Sequence, residues 1–98
     1  IIEIAAFDID GVLTTDEGME LYQEMKDDPD TEVHIVTARN RTLARDFVLQ
    51  NQLEPESLQH TQLKGKALRN IDGTGTYYGS WFRDRIHARA AGWEYEQL

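Results

Sequence analysis

The chain has no cysteine, so it can form neither a disulfide nor a thiolate metal site. It has two prolines, Pro29 and Pro55, and no proline-rich or low-complexity stretch to mark a linker. Lysine is scarce: three of the ten basic residues are Lys and the rest are Arg. No apolar run approaches the ~20 residues of a membrane helix, and the first residues carry no signal-peptide pattern. A soluble, cytoplasmic protein without a membrane partner is the expectation. The first residue is Ile1 rather than Met, which suggests a piece cut from something longer. Positive charge is outweighed, with 18 acids against ten bases and a net charge of −8. That balance argues against broad nucleic-acid binding. It leaves room for a local basic site, and homo-oligomerisation stays open.

What is present is an alternation of apolar and amphipathic segments, the pattern of βα repeats. Ninety-eight residues suffice for one domain spanning 1–98, with little left for a separate lid. Ile1 to Phe7 predicts a buried parallel strand. Glu17 to Asp27 predicts a helix whose apolar side is Met19, Leu21, Tyr22 and Met25, ended by Asp28-Pro29-Asp30. Glu32 to Val36 is a second strand. Asn40 then caps a helix that runs to Asn51 with Leu43, Phe47 and Val48 as its buried stripe. Leu53 to Gln59 is a weak third strand region, followed by a short helix from Gly65 to Ile71. Gly73-Thr74-Gly75 turns into the strand Thr76-Tyr77-Tyr78. A last helix runs from Trp81 to Ala91, with Ser80 as a good N-cap and Gly92 as the C′ residue. Trp93-Glu94-Tyr95 offers one more edge strand. Tyr77, Tyr78, Trp81 and Phe82 read as core rather than as a base-stacking platform. His34, His60 and His87 show no paired ligand spacing and read as structural or surface residues. Arg41 with Arg45, and Arg85 with Arg89, read as solvated helix faces.

Chemistry concentrates at Phe7-Asp8-Ile9-Asp10-Gly11-Val12-Leu13-Thr14. Two carboxylates one residue apart stand where an apolar run ends and a glycine turn begins. Residues i and i+2 of a strand share a face, so the pair is expected at the carboxyl edge, where open α/β sheets bind ligands. Two like charges at ~4 Å repel by roughly 4 kcal/mol at an effective dielectric of 20. Such a pair needs a bound cation, or a proton on one member. One ionised and one protonated acid is the combination that nucleophilic and general-acid chemistry requires. A bare D-x-D more often caps a turn; the flanking strand and the Gly-Val-Leu-Thr turn reverse that preference.

Asp8-Ile9-Asp10-Gly11-Val12-Leu13-Thr14 resembles, at every position, the first motif of the haloacid dehalogenase-like (HAD) superfamily, D-x-D-G-[TV]-[LV]-[TV]. The resemblance implies an α/β fold: a Rossmann-like three-layer α/β/α sandwich with a small parallel sheet and no cap domain. The expected strand order is 4-1-2-3, with an edge strand from the tail. It also implies a Mg²⁺-dependent phosphoryl-transfer enzyme, with Asp8 as nucleophile and metal ligand and Asp10 as acid and base. Ile35-Val36-Thr37-Ala38-Arg39 matches the second motif, so Thr37 would hold a phosphoryl oxygen, helped by N–H groups at the next helix start. Taken alone, Thr37 reads equally well as satisfying that helix start. Gly11, Ala38 and Arg39 would border the substrate, and Arg83 also stands near the ligand edge. Leu63-Lys64-Gly65-Lys66-Ala67-Leu68 resembles the K-G-x-A-L of the third motif, with Lys64 as the site cation and Lys66 as runner-up.

Tyr77 to Asp84, followed by Ala88-Arg89-Ala90-Ala91-Gly92, resembles the family's G-D-x-x-x-D and its downstream A-x-x-A-G helix. Here Ser80 occupies the first acidic position and Asp84 retains the second. The implied metal set is Asp8, the main-chain carbonyl of Asp10, Asp84 and waters, with Ser80 a poorer ligand than a carboxylate. The implied reaction is hydrolysis of a phosphorylated small molecule, or of a macromolecular end phosphate, through an aspartyl-phosphate. One competing reading is a HAD-like binding or scaffold module whose metal site Ser80 has disabled. Another is a nucleic-acid end phosphatase domain of a larger protein. A phosphoacceptor receiver domain ranks last, because His60-Thr61-Gln62 offers no acceptor acid at the later strand end where receivers carry it.

Overall fold

The computed structural model describes residues 1–98. Strands and helices alternate along the chain: β1 (Glu3–Phe7), α1 (Asp16–Asp27), β2 (Thr31–Thr37), α2 (Arg41–Gln50), β3 (Ser57–His60), α3 (Lys64–Arg69), β4 (Thr76–Gly79), α4 (Phe82–Ala90) and β5 (Glu94–Gln97). All strand pairs are parallel and the sheet order is β3-β2-β1-β4-β5. The expected order therefore holds, and the tail supplies the edge strand at β5. No helix is long and apolar enough to cross a membrane.

Period-two alternation in the strands sorts side chains onto two faces. Ala5, Phe7, Val33, Ile35 and Tyr78 meet Tyr22 of α1 and Ala44 of α2 on one side. Ala6, Val36 and Tyr77 meet Ala67 and Leu68 of α3 and Ala88 of α4 on the other. The result is a Rossmann-like α/β fold with helices on both faces of a parallel sheet. Phe7 ties the first face together: its ring stacks on Tyr78 at 4.8 Å and meets Tyr22 edge-on at 5.4 Å. Each such aromatic pair adds about 0.5–1.5 kcal/mol beyond its buried area.

Several local expectations need correction. Ile1 and Ile2 lie outside β1 and are exposed, because the flanking strands begin opposite Glu3 and Ala5 and leave the first two residues overhanging. Leu43 is exposed, because the face of α2 that meets the sheet is Ala44, Phe47 and Val48. Trp81 and Phe82 are exposed rather than core. The buried face of α4 is Asp84 and Ala88, and Phe82 and Ile86 lie on the opposite side of that helix. Ser80 does not cap α4: the N-cap position is Trp81, without a side-chain cap bond, and the Ser80 hydroxyl donates to the Asp10 carbonyl at 3.0 Å. Asn40 does cap α2, accepting from the Leu43 N–H at 3.0 Å.

Thr15, which had no assigned role, caps α1 by accepting from the Gly18 N–H at 3.1 Å while donating to the Val12 carbonyl at 2.7 Å. This locks α1 onto the loop that follows Asp8. Gly18 permits the close approach, since a Cβ there would stand 1.9 Å from the Val12 oxygen. Gly→Ala inside a helix ordinarily stabilises by about 0.5–1 kcal/mol. Gly18→Ala is expected to do the opposite, destabilising by about 1–3 kcal/mol through overpacking, read from the urea unfolding midpoint. An unchanged or raised midpoint would show that α1 does not press on this loop.

Candidate functional site

β1 and β4 are neighbours in the sheet but distant in sequence. From β1 the chain proceeds to β2 and β3 on one side, while β4 and β5 lie on the other. Open α/β sheets bind ligands at such a reversal, beyond the carboxyl ends of the strands. Asp8 follows β1 there, and Ser80 and Asp84 follow β4. The Asp8 N–H donates to the Tyr78 carbonyl at 3.0 Å, fixing the two strand ends together.

The loop after Asp8 is a tight turn closed by the Thr14 N–H on the Ile9 carbonyl and anchored by fully buried Ile9 and Val12. Gly11 has φ +78, a left-handed conformation in which a side chain would be strained, and a Cβ there would meet the Ser80 hydroxyl at 2.5 Å. This turn sends the two acids in different directions. Asp8 is buried, with Oδ1 accepting from the Ile9 N–H at 2.8 Å and Oδ2 from Lys64 Nζ at 2.7 Å. The Asp10 side chain is 64 % exposed and takes a bidentate fork from Arg39, with Nη2 at 2.8 Å and Nε at 3.0 Å. Each carboxylate therefore has its own cation, so within the chain a shared proton is not what relieves their repulsion.

Lys64 opens α3 and carries the electrostatics of the site. Its ammonium lies 2.7 Å from Asp8 Oδ2 and 2.9 Å from Asp84 Oδ1, at 5.8 Å from the centre of the Tyr77 ring. Asp84 sits in the first turn of α4, where the helix dipole favours an acid. It is almost completely buried, and its Oδ2 has no hydrogen-bond partner. Two carboxylates thus share one ammonium, which leaves one negative charge at the cleft floor without an internal counter-ion. Burial works against the Lys64 charge, but the Asp8 and Asp84 carboxylates outweigh it and hold its pKa above the ordinary lysine value. Burial pushes the Asp8 carboxyl up, against the pull of Lys64. Both Asp8 oxygens accept from N–H donors, which opposes that rise. The Arg39 fork holds the Asp10 carboxyl below its usual range. Burial, together with Asp8 and Asp84, raises the Tyr77 phenol, which stays neutral and donates to the Val36 carbonyl at 3.0 Å.

Asp8, Asp10, Ala38, Lys64, Ser80 and Asp84 line one cleft of about 340 Å³ together with Trp81. Lys66 is exposed and borders a different cleft, beside His60. Thr37 is fully buried, and its oxygen accepts from the Arg39 N–H at 3.1 Å, which leaves its own O–H to donate. His34 is structural, between Ser57 at 2.6 Å and Glu32 at 2.8 Å. Trp81 is the cleft residue that sequence reasoning misplaced. Its position directly after a strand's carboxyl end was the available signal.

The residues lining the cleft bring hard oxygen donors of the kind Mg²⁺ takes, the Asp8 and Asp84 carboxyl groups, the Asp10 carbonyl and the Ser80 hydroxyl, although Asp84 Oδ2 is itself buried beside Gly79 and Tyr95. Two acids, Asp8 and Asp84, against the one ammonium of Lys64 fit a cation. The donor set is lean, since no group of three His, Cys, Asp or Glu side chains converges anywhere in the chain. No protein-family model, curated protein or solved structure matches the chain.

Two substitutions separate the buried pairing from the exposed one. Lys64→Met leaves two buried acids unpaired and is expected to cost about 3–5 kcal/mol at neutral pH. Asp8, whose carboxyl burial already pushes up, then loses the Lys64 pull that opposes the rise, so stability recovers as the pH falls and Asp8 takes up a proton. Arg39→Ala is expected to cost about 1 kcal/mol or less, because the partner carboxylate is screened by water. That small contribution is present above the ordinary carboxylate pKa of about 3.9 and is lost as the pH falls through the lowered Asp10 value. Urea melts of both variants across pH check the pair; a Lys64→Met variant as stable as its parent would contradict the buried triad.

Proposed function

We propose that the chain is a phosphomonoesterase of HAD type that uses Asp8 as nucleophile with Mg²⁺ as cofactor. The observation that supports this best is the single ammonium of Lys64 set between Asp8 and Asp84, beside Asp10, in one cleft. Asp8, the Asp10 carbonyl, Asp84 and Ser80 would hold the metal. When bound, Mg²⁺ offsets the repulsion between a dianionic phosphate and Asp8.

In the first half-reaction an Asp8 carboxylate oxygen attacks phosphorus in line and the P–O ester bond breaks. The electron pair leaves with the alcohol oxygen, which takes a proton from Asp10. In the second, water attacks the aspartyl-phosphate and gives its proton back to Asp10. The Asp8–P bond breaks and phosphate leaves. Lys64 remains on Asp8 and balances charge throughout. The Thr37 O–H and the N–H of Ala38, which has no backbone partner, hold phosphoryl oxygens. The Arg39 fork favours ionised Asp10, the form that accepts the water proton. The acid role requires the guanidinium to release Asp10, and an incoming phosphate is the anion that competes for it.

Hydrolysis of an aryl phosphate with and without Mg²⁺ tests this reading. Activity is expected to disappear on chelation, to fall about 10³-fold or more in Asp8→Asn, and to rise in Ser80→Asp with a lower Mg²⁺ requirement. Absence of hydrolysis in both the parent chain and Ser80→Asp would reject the enzyme reading in favour of a noncatalytic binding module.

A further inference from the structure

Trp81 borders the cleft yet is 53 % exposed. A large aromatic left in water at the rim of a polar site is more informative than one scattered elsewhere on a surface. Its placement is firm. The Tyr95 hydroxyl donates to the Trp81 carbonyl at 2.8 Å, and the Phe82 ring meets the indole edge-on at 6.0 Å. The Arg83 guanidinium lies over the indole, 4.9 Å from the ring centroid, and forms no ion pair within the chain. An exposed indole with an unpaired guanidinium over it forms a stacking surface for a planar, polarisable ring.

Resting on the phosphomonoesterase reading, we propose that Trp81 and Arg83 receive a nucleobase, so that the substrates are phosphomonoesters of nucleosides. Lys64 and its neighbours take the phosphoryl end inside the cleft. The exposed indole stands at the cleft rim, and there the base lies on it. Indole and guanidinium recognise any base by its π-face, which makes the platform tolerant of base identity. Arg83 sets one positive charge without an acidic partner at this edge, although the chain as a whole carries −8. The same chemistry is offered by a free mononucleotide and by the terminal nucleotide of a strand.

Calorimetric titration in Mg²⁺ compares adenosine 5′-monophosphate and adenosine 3′-monophosphate with ribose 5-phosphate and with adenosine. At least one nucleotide is expected to bind about tenfold or more tightly than ribose 5-phosphate. Trp81→Ala is expected to erase that ratio, and Trp81→Phe to keep part of it. An oligonucleotide with a terminal phosphate that binds more tightly than the mononucleotide would support the strand end as source; equal affinity would support the mononucleotide. A ratio of one in the parent chain, or a ratio unchanged in Trp81→Ala, would overturn the platform and leave the phosphate site standing. Trp81-dependent binding of adenosine with no gain from its phosphate would overturn the phosphate site instead. A smaller sedimentation coefficient for Trp81→Ala than for the parent would mark the patch as a contact between copies, and would overturn the platform as well.

Discussion

One ammonium between two buried carboxylates is the constraint on which the rest of the structure depends. Lys64 reaches Asp8 and Asp84 from the start of α3, so three separate strand ends must be held in register for the contact to exist. Burying these charges is unfavourable in itself, and removing Lys64 would be worse. A buried charge cluster of this kind is weak support for stability. The cluster sets two acids against one ammonium, and the Asp84 oxygen without a partner is buried beside Gly79 and Tyr95. Ser80 contributes a neutral oxygen where a third carboxylate would have served a metal better. Its hydroxyl instead ties the Asp10 carbonyl to the β4 end of the site.

The parallel sheet makes this geometry inexpensive to hold. β1 is flanked on both sides, its alternating side chains feed both cores, and its carboxyl end opens at the reversal of strand order. From there a single turn with a left-handed glycine separates the two acids. Asp8 is kept in the dry floor with Lys64, and Asp10 is set out in water with Arg39. The two carboxylates consequently have opposite pKa tendencies, with burial raising one and a guanidinium lowering the other. Divergent environments are the physical condition for two acids to carry different roles.

Much of this architecture was legible in the residues. Apolar runs bounded by turns gave every strand and helix to within a few positions, while the 4-1-2-3 order came from the resemblance carried by Asp8 to Thr14. Lys64, Asp84 and Asp8 could be grouped because the D-x-D-G and K-G-x-A-L patterns each stand at a strand's end. The failures share one cause: sequence shows which residues alternate, not where the neighbouring element stops. Ile1 and Ile2 are apolar but overhang their partners. Leu43 lies one position off the buried face of α2. Trp81 and Phe82 read as core because they follow two buried tyrosines, yet α4 turns its Asp84 and Ala88 side inward. The Arg39 fork on Asp10 spans 29 residues and leaves no local trace in the chain.

Identifying the phosphorylated atom tests the central claim most directly. The protein is mixed with Mg²⁺ and a phosphomonoester, quenched in acid during turnover, and its peptides are mapped by mass spectrometry. A phosphoryl group on the Asp8 carboxylate, absent from Asp8→Asn, is the result this account predicts. Phosphate release with no phosphoryl group on Asp8 at any time would contradict it.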